Sequence, residues 1–181
     1  DRHNGFLDRF IPQTFVGNHD VTRLANRLED AATLEHALAV LFAVGGIPSV
    51  YAGDEQAFHG IKTEGEGGDD TVRPAFPESP QGLWPDGWPV YRRHQELIGL
   101  RRRHPWLIRA RAKPLRLENT RLLLELAHHG KRLYLALNLD GPASFAAPDA
   151  KTVLAGRDAH LTGDGSLHLG AKGWAILSTA Q

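Results

Sequence analysis

In the stretch TFVGNHDVTRLAN, an amide, an imidazole and a carboxylate stand side by side as Asn18, His19 and Asp20, directly after a short apolar run. Polar side chains gathered where a strand delivers its last residues into a cleft form a catalytic shelf, with the Asp as its charged member. A plainer role is open to the same carboxylate. Asp is a favoured helix N-cap, and Val21, Leu24 and Leu28 follow at helical spacing. Three residues beyond Asp20, Arg23 either holds this loop by pairing with a carboxylate or stands on the surface.

The elements that must carry this shelf follow from hydrophobic periodicity. Phe15 to Asn18 reads as a short strand, and Leu34, Leu38, Leu41 and Phe42 fall on one face of a helix from about Thr33 to Val44. Gly45 and Gly46 stop that helix, and a second strand follows at Ile47 to Tyr51. Short buried strands alternating with a helix indicate parallel βαβ construction, so the first part of the chain is expected to be α/β.

Residues 53–89 form a long connection rich in Gly and Pro, a length that is usually functional or disordered. It is acidic: eight carboxylates lie between Asp54 and Asp86 against Lys62 and Arg73. A helix is expected from Val90 to about His104, and residues 91–113 carry eight basic side chains against Glu96 alone. The expectation for that basic run is a solvated face partly neutralised by neighbouring acids. After Pro105 the pattern changes to short β-like runs, with a clear hairpin in LAHHGKRLYLAL whose turn is His129-Gly130. Strands with turns every few residues predict an antiparallel sandwich starting near Ala112.

Composition narrows the function classes. Lys plus Arg and Asp plus Glu are each 21, so no overall field draws the chain to nucleic acid or to an anionic membrane. The absence of cysteine excludes a disulfide framework, thiolate catalysis and a cysteine zinc site, and leaves the compartment open. No apolar run approaches the roughly 18 residues of a membrane-spanning helix. The chain has no methionine, and its charged start, DRHNGFLDRF, reads as the middle of a longer protein. The histidines show no metal-ligand spacing with acidic partners, so no metal site is expected.

The order of these features is similar to one family. FVGNHD resembles the fourth signature region of the α-amylase superfamily, glycoside hydrolase family thirteen, which follows strand seven of its (β/α)₈ barrel. GGIPSVYAGDEQ resembles strand eight and the turn beyond it, and Arg73-Pro74-Ala75-Phe76-Pro77 resembles the Arg-Pro segment that often follows. The resemblance covers nearly the whole chain. It implies that residues 1–111 are the last two βα units of a TIM-type barrel and that residues 112–181 are the C-terminal antiparallel β-sandwich domain. In such barrels the active site lies at the C-terminal ends of the strands, where Asn18, His19 and Asp20 fall.

The resemblance further implies roles. Asp20 is the catalytic carboxylate that helps stabilise an oxocarbenium-like transition state, and His19 donates to sugar hydroxyls, with Asn18 in support. Arg23 is carried as a substrate-side residue, and Trp84 and Trp88 are candidates for stacking on sugar faces or for packing the loop. Asp54 and Glu55 are expected to be structural or outer-subsite residues before catalytic ones. Retaining glycosidases also need a nucleophile and a general acid about 5 to 5.5 Å apart. In the family both precede the Asn-His-Asp segment, so neither is expected here, and any calcium belongs to upstream parts. Gly156-Arg157-Asp158-Ala159-His160 looks like the nucleophile motif but lacks the residue between Arg and Asp and falls among the β-strands.

The implied function is therefore the C-terminal portion of a retaining α-glycoside hydrolase or transglycosylase acting on α-linked glucosides or α-glucans, with no cofactor in this chain. The expected partners are that substrate and either the rest of the barrel or a second copy. The alternative is a non-catalytic carbohydrate-binding module or an inactive homologue of the same fold.

Overall fold

A computed structural model of the chain describes residues 2–28, 30–83 and 87–179. Among the described residues, four α-helices and eight strands run in the order α1 (Arg2–Leu7), β1 (Gln13–Thr14), α2 (Leu24–Leu28), α3 (Ala31–Ala43), β2 (Ile47–Pro48), α4 (Gly87–Arg103) and then six strands. These are β3 (Arg111–Leu117), β4 (Arg121–His128), β5 (Lys131–Asn138), β6 (Ala143–Ala146), β7 (Thr152–Leu161) and β8 (Ser166–Ser178).

β1 and β2 pair in parallel, with Gln13 opposite Ile47 and Thr14 opposite Pro48, and α2 and α3 form the crossover between them. The paired segments are shorter than the sequence suggests. The stretch Phe15–Asn18 lies beyond β1, and β2 ends at Pro48 rather than at Tyr51. Pro48 has no N–H to offer a ladder; the bond from Ser49 N to the Thr14 carbonyl, 2.8 Å, follows it, and Phe15 beyond β1 is exposed.

The Asp that caps a helix here is Asp30. Its side chain accepts from Ala32 N at 2.9 Å, and its carboxylate also takes Lys172 of β8, which holds its pKa down at about 2. Asp20 caps nothing: residues 20–23 are a turn and an extended stretch, and α2 begins only at Leu24. α3 ends at the expected glycines, and its last carbonyls are taken up from α4. The Arg101 guanidinium donates to the carbonyls of Phe42 (2.9 Å), Val44 (2.7 Å) and Gly46. The basic run is thus not uniformly a solvated face. Arg101 is partly buried, which pushes its pKa down to about 10, while Arg102 and Arg103 stand in solvent.

The C-terminal half is one antiparallel sheet in the order β3-β4-β5-β8-β6, with β7 also paired to β8. The strands are antiparallel as expected, and the two halves of the sheet are joined through one long strand. The start of β8 pairs with β6 and its end pairs with β5, and β7 follows it along both. Gly170, Gly173 and the left-handed Lys172 (φ 55°) let β8 bend between these duties. The β4–β5 turn is as expected, with His129 and Gly130 both at positive φ, 47° and 77°.

Side-chain alternation sorts the sheet into two cores. Leu126, Leu133, Leu135, Trp174 and Ile176 pack against α3 and α4, in one cluster with Leu38, Phe42, Leu97 and Leu100. The opposite face, with Leu123, Tyr134, Phe145, Leu167 and Leu177, closes on itself beneath β6 and β7. The first cluster is continuous across the helices and the sheet, so the helical layer is the cover of the sheet.

Candidate active site

The chain leaves β1 and forms a loop whose exposed tip carries Asn18, His19 and Asp20. Asn18 organises it locally, its Oδ1 accepting from Asp20 N at 2.8 Å. The Asp20 carboxylate is 61% exposed; one oxygen lies 3.3 Å from His19 Nε2 and the other 3.4 Å from Arg73 Nη2. Arg73 also donates through Nε to the His19 carbonyl at 3.3 Å and through Nη2 to Asp69 at 2.7 Å. Lys62 pairs with the other oxygen of Asp69. The shelf is therefore a mixed-charge cluster of Asp20, His19, Arg73, Asp69 and Lys62, open to solvent. Such a cluster presents a carboxylate with one cationic neighbour and one imidazole, able to face a positive centre and hydrogen-bond hydroxyls.

Beneath the tip lies Arg23, which is only 2% exposed and so does not reach out toward a ligand. Its Nη1 donates to the Ala52 carbonyl at 2.8 Å and to Asp54 Oδ1 at 2.9 Å, and its Nε donates to the Val72 carbonyl at 2.9 Å. The guanidinium also stacks 4.1 Å from the Tyr51 ring centroid. Of its two sequence readings the loop-holding one describes this geometry, and the substrate-side placement is not where the side chain sits. Val72 immediately precedes Arg73, so the residue that holds the loop also holds the cation beside Asp20.

Asp54 completes the foundation. Burial pushes its carboxyl up from the usual range, opposed by the hydrogen bond and charge of Arg23. Its Oδ2 abuts Gly17, where a Cβ would come within 2.5 Å, so glycine is the residue that lets the loop cross the buried carboxylate. Glu55 turns back to accept from Gly53 N at 2.9 Å. Both acids are engaged within the fold, Asp54 by Arg23 and Glu55 by the Gly53 backbone.

The acidic connection is pinned at several points between Gly60 and Thr71. Gly60 N donates to Asn26 Oδ1 at 2.5 Å, Lys62 N to Thr22 Oγ1 at 3.0 Å, and Thr71 Oγ1 to the Ile61 carbonyl at 2.6 Å. Trp88, in the first turn of α4, is 37% exposed, meets Tyr91 edge-on and lines a shallow groove with Pro80, Gln81 and Leu83. None of Asn18, His19 and Asp20 lines that groove. Trp84 lies outside the described residues. Asp158 sits at a bulge in β7, where the pairing with β8 shifts between Arg157 and Ala159, with φ 47°. Among the described residues, no group of three His, Asp or Glu side chains is arranged to hold a metal ion.

The residue that sequence reasoning did not place at the site is Arg73. Its Arg-Pro context marked it as part of a segment, but its contact with Asp20 spans 53 residues and had no local signal.

Comparison with known proteins agrees with this architecture. The family described as α-amylase, catalytic domain, matches residues 4–111. An uncharacterized glycosyl hydrolase of Schizosaccharomyces pombe is 32% identical over 99 residues, covering 52% of this chain and 18% of that protein. Amy13B of Eubacterium rectale superposes with a TM-score of 0.74 at 18% identity, over 96% of this chain and 40% of that one. The trehalulose synthase MutB of Pseudomonas mesoacidophila superposes with a TM-score of 0.78 at 16% identity, over 97% and 44%. At such identities the structural likeness speaks for the fold. The chain spans under one fifth of the curated relative and under half of these two solved proteins. With the catalytic-domain match running over more than half its length, the chain belongs to the α-amylase family.

Proposed function

We propose that the chain is the C-terminal portion of a retaining α-glycoside hydrolase or transglycosylase acting on α-linked glucosides, with Asp20 stabilising charge in the transition state. The observation that carries this reading is the exposed Asp20 carboxylate, held between His19 and Arg73 on a loop that leaves a parallel strand pair. A helix cap or a structural ion pair gives no reason to hold a carboxylate there, 61% exposed, over a buried arginine foundation.

In the same reading, residues 1–111 are the last two βα units of an eight-stranded barrel and residues 112–181 the C-terminal β-domain. A two-stranded parallel sheet with Phe6, Phe10, Phe15 and Ile47 exposed supports this, since parallel sheets are covered on both faces in complete folds. The nucleophile and general acid would come from preceding parts of the longer protein. The substrate is an α-glucoside or α-glucan, and the 181-residue chain alone is expected to give no turnover.

The test is Asp20→Asn in the longer protein that contains these residues. Asn keeps the shape and removes the charge, and loss of one preorganised electrostatic group typically lowers the rate ~10²- to 10³-fold. The expected result is a kcat reduced at least roughly 10²-fold with an unchanged melting temperature, because Asp20 caps no helix. Near-normal turnover sinks the assignment.

A further inference from the structure

A second polar surface lies in the sheet, away from the loop that carries Asp20. Strand register brings cations from distant parts of the sequence onto one face: Arg111 of β3 and Arg132 of β5 both stand opposite Ala127 of β4, and Lys113 stands opposite Glu125. The end of the β4–β5 hairpin adds His128, His129 and Lys131. Together these residues line an open groove of about 530 Å³, floored by the small Ala127 between the two arginines. That space is in the range of sites for small ligands.

The charges of the groove are not balanced. Glu125 is its one acid. Arg132 is shared between Glu125 (3.3 Å) and Asp149 (2.9 Å), and Arg111 pairs with Asp8. Lys113, Lys131 and the nearby Arg109 have no carboxylate partner among the described residues. The His128 ring reports the resulting field: its pKa is lowered by burial first, then by His129, Arg109 and Lys131. These cations include the C-terminal part of the basic run, for which the active site has no use.

We propose that this groove is an oxyanion site that takes a phosphate group, either as the free ion or as a sugar ester. Arginine forks and lysine ammonium groups of β3 and β5, on either side of β4, are the donors that a tetrahedral dianion needs. A nucleic-acid duplex fits less well, since such interfaces bury roughly 600 Å² or more of protein and typically engage 6–10 phosphates. Here the positive surface is one end of three adjacent strands on a chain of zero net charge. The proposal is independent of the role given to Asp20.

The test uses the 181-residue chain, isotopically labelled, with amide shifts followed while inorganic phosphate or glucose 6-phosphate is added at constant ionic strength. Saturating shifts confined to residues 111–113 and 127–132 are expected. The exposed Lys113 and Lys131 bear no core contacts, so K113Q/K131Q keeps the fold and is expected to weaken binding at least roughly tenfold, by loss of two charged donors. Tighter binding of the ester than of the free ion assigns the ligand to a phosphorylated sugar, and equal binding assigns it to phosphate itself; both sustain the site. Three outcomes overturn it: equal shifts from chloride at matched ionic strength, undiminished binding in the double variant, or a DNA duplex binding more tightly than either phosphate compound.

Discussion

Arg23 and Asp54 form an ion pair with 2.9 Å between Nη1 and Oδ1, their side chains 2% and 8% exposed, directly beneath the loop that presents Asp20. The pair joins three pieces of chain. Arg23 belongs to the loop after β1, Asp54 to the turn after β2, and the same guanidinium bonds the backbone at Ala52 and at Val72. Through Val72 it sets the start of the Arg73 segment, and Arg73 reaches back to Asp20.

Removing Arg23 should therefore be costly in a specific way. Arg23→Met leaves a buried, desolvated carboxylate without its cation, which typically destabilises by about 3 to 5 kcal/mol. Arg23→Met/Asp54→Leu removes both charges and should recover most of that loss, because an apolar pair of similar volume is often neutral. Urea denaturation of the wild type, the single and the double variant checks this. A single variant within about 1 kcal/mol of wild type would mean that solvent reaches the pair.

Stability should fall as the solution is acidified below neutrality. His36 and His94 are both buried, and burial lowers their pKa values, against the weaker pull of their backbone hydrogen bonds. The unfolded chain, with its histidines near ~6.5, then binds more protons than the native one, so stability is full above that value and is lost as the pH drops through it. Asp54, shifted upward by burial, acts in the opposite sense and softens the fall. Below about pH 4 the loss steepens again as the Asp30–Lys172 contact is protonated, with Asp30 at about 2. Melting temperatures between pH 7.5 and 5 give the slope, and H36Q/H94Q should flatten it; an unchanged slope would assign it to other groups.

Arg101 should matter more than an ordinary surface arginine. It supplies donors to three carbonyls at the C-terminal end of α3, where an α-helix leaves carbonyl groups unpaired and its dipole is negative. Arg101→Met keeps the apolar stem and strands those acceptors, with an expected loss of about 2 kcal/mol. Arg102→Met, one residue on in solvent, should change stability by less than about 0.5 kcal/mol. Equal effects from the two would disprove the capping role.

The sheet should not keep its native packing when separated from the helices. Residues 112–181 alone would bare the face carrying Leu126, Leu133, Leu135, Trp174 and Ile176, which α3 and α4 cover in the whole chain. Dye binding to exposed apolar surface, self-association in sedimentation, or both, are expected for that piece. A monomer with fully protected amides along β5 and β8 would show that the second core suffices.

Several elements were legible because their signals are local. The apolar spacing of Leu34, Leu38, Leu41 and Phe42 is α3, the paired glycines are its end, and His129-Gly130 between alternating runs is the β4–β5 turn. The motif around Asp20 was equally readable, since its three polar residues are adjacent in the chain and stay together in space. What the tertiary structure decided joins residues far apart in sequence. Arg73 meets Asp20 across 53 residues, Arg23 meets Asp54 across 31, and Trp174 Nε1 donates to Glu35 at 2.9 Å across 139. No spacing rule encodes such pairs, because each depends on where two separately formed elements come to rest. The same holds for β8, whose single bent strand serves both halves of the sheet. Periodicity records which face of an element is apolar. Which neighbour covers that face, and which charge is buried beneath it, is settled only when the whole core closes.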